Sequence, residues 1–220
     1  MLTDALRGLL ALVHDGFSRI LNRLTDWDLG YRRLDPRRWY YHSELLDEDF
    51  TEALARLGPP PGSRLLDAGT GLGIAARELS RKGYRVAAAD LSPRALELAR
   101  AAAFDQAGTI AFVRADLSAP SPAVQGPFDA VHDRGCFHSL SPDRRKGYAS
   151  TMASLLRSGG LLYLKTLSRA ELLAPGPFRF SPEEIEALFA PDFSLVESRK
   201  SRLGRGWMRP WYLLCVLRRR

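Results

Sequence analysis

The sequence contains few cysteines, and this limits the kinds of site that it can build. Only two, Cys136 and Cys215, occur among 220 residues. Two cysteines cannot form a disulfide framework or a cysteine-rich metal site, so iron–sulfur chemistry is not expected. The four histidines and the acids show no evident metal triad either, and we predict no metal.

Long apolar runs are also absent, since none approaches the roughly 18 residues that a membrane-spanning helix needs. The first residues include Asp4 and Arg7 and no small-residue cleavage site, so we expect no signal peptide and a cytoplasmic location. Hydrophobic residues make up 45% and charged residues 26% of the chain, a balance typical of one soluble globular domain.

Lysine is scarce, because only four of the 32 basic residues are lysine: Lys82, Lys146, Lys165 and Lys200. Arginine therefore carries most of the net charge of +7, and it clusters in the last 22 residues, 199–220. A solvated surface is the simpler interpretation of this cluster, so no nucleic-acid partner is expected.

Residues 1–58 are expected to form a helical extension or lid. Apolar residues recur at steps of three and four from Leu2 to Leu24, which predicts one apolar stripe on a helix. An aromatic-rich stretch at 27–42 and a short helix at 44–57 follow, before the proline-rich break GPPPGS. This apolar stripe is expected to pack on the domain, on a second chain or over the active site. The pattern therefore allows both a monomer and a homodimer.

Strand and helix patterns alternate from residue 59 onwards, which predicts an α/β fold with a doubly wound, mostly parallel sheet. Five apolar strand patterns are separated by helical patterns, and the fifth is LLYLKTLS at 161–168. The last two strand patterns, at 193–201 and 211–219, have no helix between them, so one of them is expected to run antiparallel.

The run LLDAGTGLGIA places Gly69, Gly71 and Gly73 just after the first strand, at the edge where doubly wound sheets bind ligands. It is not the dinucleotide pattern, because Ile74 stands where that pattern requires glycine. It is not a Walker loop, because no Gly-Lys-Ser/Thr follows. Asp67, just before the glycines, would repel a phosphate but suits a ligand with an amino group.

Two further acids follow at the ends of the next strands. Asp90 lies 23 residues after Asp67, where a carboxylate can accept hydrogen bonds from both hydroxyls of a ribose. Asp116 ends the third strand, where a side chain can meet the amino edge of adenine. A ribose, an adenine and an amino acid without phosphate describe S-adenosylmethionine, which we predict as the cofactor.

Four motifs in order, LLDAGTGLG, AAADLS, VRADL and FDAVHDRG, resemble those of class I S-adenosylmethionine-dependent methyltransferases. The resemblance covers residues 60 to 217. It implies a Rossmann-like sheet of seven strands, the last antiparallel, in a methyltransferase domain at 59–220. It also implies cofactor contacts from Asp67, Gly69, Thr70, Gly71, Gly73, Asp90, Leu91, Asp116, Leu117 and Asp133.

The stretch FDAVHDRGCFHSLSPDRRKGYASTMASLL is similar to the thiopurine methyltransferases and their thiol- and tellurite-methylating bacterial relatives. This similarity implies a small-molecule acceptor with a thiol or another soft nucleophile (sulfur, selenium or tellurium). It places three catalytic candidates after strand four, namely Asp133, Arg134 and His138. The expected substrate or lid contacts are Trp39, Tyr40, His42, Cys136 and Phe137. His132 is interpreted as a packing residue.

Other functions stay open. Oxygen or nitrogen methylation of a small natural product would require a base, for which His138 and His42 are the candidates. Modification of RNA or protein through the arginine-rich C-terminus is disfavoured, because no Asn/Asp-Pro-Pro-Tyr run ends the fourth strand. A binding module without catalysis is disfavoured by the intact glycine loop and Asp90.

Overall fold

The computed structural model of the chain describes residues 27–33, 35–36, 45–106, 109–171, 178–203 and 209–220. The apolar stripe from Leu2 to Leu24 and three lid candidates, Trp39, Tyr40 and His42, lie outside the described residues. In the described ranges, no helix has both the length and the apolar character needed to cross a membrane.

One sheet of eight strands organises the fold. The strands are β1 (Arg64–Ala68), β2 (Arg85–Asp90), β3 (Ile110–Arg114), β4 (Phe128–Arg134), β5 (Leu156–Ser168), β6 (Arg179–Phe180), β7 (Phe193–Arg202) and β8 (Trp211–Arg219). Their order is β3-β2-β1-β4-β5-β8-β7, with β6 beside β5. The pairs among β1 to β6 are parallel, and β8 is antiparallel to both β5 and β7. The predicted mostly parallel sheet with a terminal antiparallel strand is confirmed, and the two-residue β6 is an addition too short to leave a sequence pattern.

Six helices of the described chain flank the sheet. They are α1 (Trp27–Arg33), α2 (Glu48–Leu57), α3 (Ile74–Arg81), α4 (Pro93–Ala102), α5 (Pro142–Leu155) and α6 (Pro182–Phe189). Side chains cap the N-termini of two of these helices. Ser92 accepts a hydrogen bond from the Ala95 amide at the start of α4, and Ser181 and Glu184 form the predicted capping box of α6.

The helix before β5 is shorter than its sequence pattern indicates. The pattern runs to the Gly159–Gly160 pair, but α5 ends at Leu155 and β5 begins with the next residue. Leu156 already pairs with Phe128 of β4, and an irregularity in the register separates that pair from the regular ladder. Pairing with β4 therefore places Leu156 and the residues after it in a strand, although the sequence pattern there is helical.

The two faces of the sheet bury different helices, and this decides which side chains reach the site. Alternate residues of β1, β4 and β5 that include Leu65, Ala130 and Tyr163 pack against α2 and α3. The intervening residues pack against α5 and α6. The register aligns Asp67 with His132 and Arg134 with Lys165, so these polar residues continue the α2 face at the carboxyl ends of the strands. The helix α2, which precedes the predicted domain boundary at residue 58, thus shares the core of the sheet, and that boundary stays a prediction.

Candidate active site

The glycine loop between β1 and α3 is packed too closely for side chains. Gly69, Gly71 and Gly73 have φ angles of +70°, +54° and +70°, a region that residues with a Cβ adopt rarely. A Cβ at Gly69 would lie 2.6 Å from the Cβ of Cys136, and one at Gly73 would lie 2.9 Å from the Cβ of Ala99. The loop therefore presents its backbone, and not side chains, at the end of β1.

Asp90, the last residue of β2, holds this loop in place. Its Oδ2 accepts a hydrogen bond from the Gly71 amide and its Oδ1 accepts one from the Ser92 amide, each at 2.9 Å. Burial raises the pKa of Asp90, while these hydrogen bonds act in the opposite direction. Each oxygen keeps a second lone pair, so the carboxylate is suited to accept hydrogen bonds from the two hydroxyls of a ribose.

Helix α1 lies over the glycine loop. The hydroxyl oxygen of Tyr31 is 2.8 Å from the position that a Cβ at Gly71 would take. Burial, together with the charge of Asp90, raises the pKa of Tyr31, so the phenol stays protonated. Asp28 fixes the helix by accepting hydrogen bonds from Ser92 Oγ at 2.7 Å and from the Arg94 amide at 2.9 Å.

Asp67 and His132 form a buried pair at the ends of β1 and β4. Asp67 Oδ1 lies 2.9 Å from His132 Nδ1, and its Oδ2 accepts a hydrogen bond of 2.6 Å from Thr70 Oγ1. The imidazole packs against the Phe50 ring, with 4.3 Å between the ring centroids. A close contact with the amino group of a cofactor, predicted for Asp67, would use the lone pairs that these two bonds leave.

A second buried polar cluster lies beside this pair, between β4, β5 and the start of α2. Lys165 Nζ lies 2.9 Å from Asp47 Oδ2 and 2.8 Å from Asp49 Oδ1. Arg134 Nε lies 3.1 Å from the same oxygen of Asp47. Two cations thus meet two carboxylates, and the cluster carries no net charge.

The glycine loop and these polar groups border one cleft of about 720 Å³, measured out to its open mouth. Its lining residues come from the loop, from β1 and β4, and from the segments before α2; they are Tyr31, Pro36, Leu45, Leu46, Asp47, Asp67, Gly69, Thr70, Gly71, Leu72, Ile74, Ala75, His132 and Arg134. The glycine loop, which is bonded to Asp90, lines the cleft with backbone, and Asp47, His132 and Arg134 form its polar wall.

The residues predicted to flank the adenine lie next to β2 and β3. Leu91 is 48% exposed, whereas Leu117 is buried. Asp116 accepts hydrogen bonds from the amide and hydroxyl of Ser118 and from Arg144. Desolvation acts to raise the pKa of Asp116, but these hydrogen bonds outweigh it and leave the pKa below its usual value.

Asp133 near the end of β4 and His138 after it are buried in the interior. Asp133 accepts hydrogen bonds from the amides of Cys136 and Phe137 and from the Tyr148 hydroxyl, and burial raises its pKa to about 6. His138 accepts a hydrogen bond from the Leu167 amide through Nδ1 at 2.8 Å. Burial lowers the pKa of His138 to about 3, so its imidazole is neutral.

Four of the predicted acceptor-side residues are therefore not among the described residues that line the cleft: Asp133, Cys136, Phe137 and His138. Phe137 is fully buried in the core, and burial raises the pKa of the Cys136 thiol well above its usual value. Arg134 alone of the catalytic candidates lines the cleft. Catalytic and lid roles for these residues stay predictions.

Several cleft residues were not expected from the sequence: Tyr31, Asp47 and, as more than a packing residue, His132. The alternation along β4 carried a usable signal for His132, because a strand that puts Arg134 at the site also puts residue 132 on the same face. Asp47 and Tyr31 lie outside the strand motifs, and their positions depend on how α1 and α2 pack.

The family model of thiopurine S-methyltransferase matches residues 25–205 of the chain. A ubiquinone biosynthesis O-methyltransferase of Methylocella silvestris is 36% identical over 143 residues, which are 62% of this chain and 54% of that protein. The chain thus spans about half the length of this relative.

Solved structures share the fold. A structure from work on the conversion of a disulfide bond into a thioacetal group in echinomycin biosynthesis is 26% identical, with a TM-score of 0.74 over 88% of this chain and 91% of that one. The 1,6-didemethyltoxoflavin-N1-methyltransferase of Burkholderia thailandensis, with bound 1,6-didemethyltoxoflavin and S-adenosylhomocysteine, is 24% identical. Its TM-score is 0.70 over 94% of this chain and 90% of that one. Since the family model matches residues 25–205, which are most of this chain, the chain belongs to the thiopurine S-methyltransferase family.

Proposed function

We propose that this chain methylates a heteroatom of a small molecule that binds in the cleft between the glycine loop and residues 45–47. The observation that carries the proposal is that one cleft is lined both by the backbone of the glycine loop and by polar side chains. The wall beside Asp90 offers backbone and a ribose acceptor, which suit the cofactor. The polar wall offers an imidazole and a neutral cluster of paired charges, which suit a small polar acceptor.

The cofactor would be held by the residues that the sequence indicates. Gly69, Thr70 and Gly71 would contact its amino acid part, and Asp90 would accept from its ribose. The adenine would lie between the exposed Leu91 and the segment that contains Asp116 and Leu117. Bound there, S-adenosylmethionine supplies a methyl group on a positively charged sulfur, so the protein has mainly to position the acceptor.

The acceptor atom has two candidates, oxygen and sulfur. The names of the Methylocella silvestris relative and of similar proteins favour oxygen, because these are O-methyltransferases. The polar wall favours oxygen too, since a hydroxyl can hydrogen-bond to His132 or Arg134. Sulfur is favoured by the family description, which refers to S-methylation. We propose a hydroxyl as the first candidate and a thiol as the second.

The charge of the cluster limits the acceptor further. Arg134 and Lys165 already face Asp47 and Asp49, so the cluster offers no excess positive charge to an acceptor phosphate or carboxylate. Unpaired buried charges are costly. A neutral aromatic or heterocyclic hydroxyl compound fits this wall better than a strongly anionic one.

A substrate panel tests the proposal. Purified protein is incubated with S-adenosylmethionine labelled in its methyl group and with catechol, simple phenols, thiophenol, sulfide, selenite, aliphatic thiols or amines. Label is expected in extractable product from at least one of these, with phenols ahead of thiols. Label that enters only added RNA or protein would refute the small-molecule assignment, and thiol products without phenol products would make sulfur the acceptor.

A further inference from the structure

The pair of His132 and Asp67 does more than pack the ends of two strands. Both residues line the cleft, although their side chains are only 4% and 3% exposed. A carboxylate only accepts hydrogen bonds, so the 2.9 Å contact places the imidazole proton on Nδ1. In the neutral form of this imidazole, the other ring nitrogen, Nε2, carries no proton and has a lone pair for an acceptor proton.

We infer that His132 is the general base of methyl transfer and that Asp67 is its positioning residue. The inference rests on the proposed function, because it requires an acceptor with a proton to lose. It gives a role to a histidine that the sequence pattern suggests only as packing, and it gives Asp67 a role separate from the cofactor.

Three features of the surrounding structure hold the imidazole in one orientation. Thr70 Oγ1 donates to Asp67 Oδ2 at 2.6 Å, which holds the carboxylate plane. The register of β1 and β4 places Asp67 directly beside His132. The Phe50 ring packs on the imidazole at an interplanar angle of 45°. A base held by a third group in this way is the arrangement that general-base catalysis uses elsewhere.

Other bases of the described chain fit the role less well. His138 bonds the backbone and does not line the cleft. Tyr31 lines the cleft, but burial raises the pKa of its phenol. The phenol therefore keeps its own proton at neutral pH and cannot accept one from a substrate. Asp47 also lines the cleft, and its Oδ2 is occupied by Lys165 and Arg134.

The proposed step transfers one methyl group to the acceptor and one proton to the protein. A lone pair of the acceptor oxygen forms the new bond to the methyl carbon as the bond from that carbon to the cofactor sulfur breaks, and its electron pair returns to sulfur. The acceptor O–H proton passes to His132 Nε2, and its bonding pair stays on oxygen. The imidazolium that results is stabilised by the Asp67 carboxylate and loses the proton to water after product release.

The acceptor class decides how much the base matters. A phenol with a pKa near 10 is only about 0.1% ionised at pH 7, whereas a few per cent of an ordinary thiol is ionised there. Loss of His132 should therefore slow hydroxyl methylation strongly and thiol methylation weakly.

The charges around His132 must be considered in any pH experiment. The titratable and charged groups that surround it are Asp67 on β1, Asp133 and Arg134 on β4, Tyr163 and Lys165 on β5, Asp47 and Asp49 at the start of α2, and Tyr31 on α1. Asp133 is on the opposite face of β4, and the cluster of Lys165 is neutral. Asp67 is thus the group whose charge acts on the imidazole through a direct hydrogen bond.

The kinetic test compares His132→Asn and Asp67→Asn with Tyr163→Phe as a matched control. Asparagine at 132 keeps a donor towards Asp67 but cannot act as a base. Tyr163 is the strand neighbour of His132 and does not line the cleft. With catechol, His132→Asn should lower kcat by about 100-fold or more and change KM less. Asp67→Asn should lower kcat less, thiophenol turnover should fall less than tenfold, and Tyr163→Phe should keep both activities.

The pH profile adds a readout that packing damage alone would not move. Catechol turnover by the unchanged protein should rise as the imidazole loses its proton and then level off. In His132→Asn this rise should vanish, and turnover should follow only the ionisation of catechol itself at high pH. Retention of the same rise in His132→Asn would overturn the inference.

A spectroscopic readout is independent of turnover. In protein labelled with ¹⁵N-histidine, the NMR signal of His132 should show a protonated Nδ1 and an unprotonated Nε2, and Asp67→Asn should change this tautomer. A proton on Nε2 in the unchanged protein would overturn the inference, whatever the activity.

The outcomes separate the inference from the proposed function. If the unchanged protein methylates none of the small molecules, the proposed function fails, while the NMR result still decides whether Nε2 is the free nitrogen. If catechol is methylated equally by the unchanged protein and by His132→Asn, only the inference fails. If His132→Asn does not fold, His132→Gln replaces it, with binding of S-adenosylhomocysteine by calorimetry as the check on an intact site.

Discussion

The carboxylate of Asp28 accepts a hydrogen bond of 2.7 Å from the hydroxyl of Ser92, a residue 64 positions further along the chain. The same hydroxyl caps α4 by accepting from the Ala95 amide, and the Ser92 amide donates to Asp90. One serine therefore links the helix over the cleft, the start of α4 and the acid that holds the glycine loop. Closure of α1 and cofactor binding are expected to depend on each other.

Replacement of Asp28 by alanine tests this link. It removes the hydrogen bonds to Ser92 and to the Arg94 amide, so α1 should detach more often from the domain. Hydrogen exchange followed by mass spectrometry should show several-fold faster exchange in residues 27–33, and calorimetry should show weaker binding of S-adenosylhomocysteine. Unchanged exchange in this segment would contradict the role of Asp28.

Replacement of Asp90 by alanine should weaken S-adenosylhomocysteine binding strongly. The change removes the acceptor of the Gly71 amide and the proposed acceptor of the ribose. Hydrogen bonds to a charged group contribute about 1.5–3 kcal/mol each, so the Kd should rise by at least tenfold in calorimetry.

A matched control for Asp90 lies at the other end of the sheet. Asp129, at the start of β4, accepts a hydrogen bond from the Arg64 amide at 2.9 Å and bonds Arg157. Alanine there should lower stability but leave the Kd of S-adenosylhomocysteine within about twofold, because the residue is remote from the carboxyl ends of the strands. Equal losses in both variants would mean that Asp90 acts only through folding.

The glycine at position 71 should not tolerate alanine. Its φ of +54° is strained for a residue with a Cβ, and the new Cβ would lie 2.8 Å from the Tyr31 hydroxyl oxygen. Gly71→Ala should weaken S-adenosylhomocysteine binding, and Tyr31→Phe in the same chain should restore part of the loss by removing the hydroxyl. A double-mutant cycle should give a coupling of about 0.5–3 kcal/mol, and strict additivity would contradict the contact.

The glycine loop and the strand ends around it could be predicted because their determinants are local. A strand end, three glycines and an acid at the end of the next strand are short patterns, and Gly69, Gly71 and Asp90 occupy the positions that those patterns indicate. The parallel order of the strands followed from the alternation with helices, and the antiparallel β8 followed from the missing helix before it.

The polar wall of the cleft and the adjoining Lys165 cluster could not be predicted in the same way because their contacts are long-range. Lys165 and Asp49 are 116 residues apart, and they meet only because α2 packs across the end of β5. His132 and Asp67 pair through the register of β1 and β4, which no local pattern fixes. His138 was a reasonable candidate from its place after β4, but a turn of the chain directs its imidazole to the Leu167 amide.

At low pH, the free energy of unfolding should depend on the protonation of His138. Burial lowers its pKa from 6.5 to about 3, so between these values the unfolded chain binds more protons than the folded one. Stability from this residue is thus complete above pH 6.5 and is lost as the pH falls, by up to about 1.4 kcal/mol per pH unit. Asp133, with its pKa raised to about 6, acts in the opposite direction between pH 4 and 6, so the two effects partly cancel in the unchanged protein.

A comparison with His138→Asn isolates the effect of the histidine. Asparagine can still accept from the Leu167 amide, but it does not titrate. In urea denaturation, the advantage of the unchanged protein over the variant should shrink by about 2 kcal/mol between pH 6.5 and pH 5. A pH-independent difference would show that His138 is protonated with similar ease in the folded and unfolded states.

Two buried tyrosines should respond in opposite ways to loss of the hydroxyl. Among the described residues, the Tyr163 hydroxyl has no hydrogen-bond partner, whereas the Tyr148 hydroxyl donates to Asp133 at 2.5 Å. A buried polar group without a partner costs free energy, so Tyr163→Phe should leave stability unchanged or raise it by up to about 1 kcal/mol. Tyr148→Phe should lower it by about 1.5–3 kcal/mol, because the fully buried Asp133 carboxylate loses a donor. Urea denaturation at pH 7.5 measures both, and a loss in Tyr163→Phe as large as that in Tyr148→Phe would imply a partner for the Tyr163 hydroxyl.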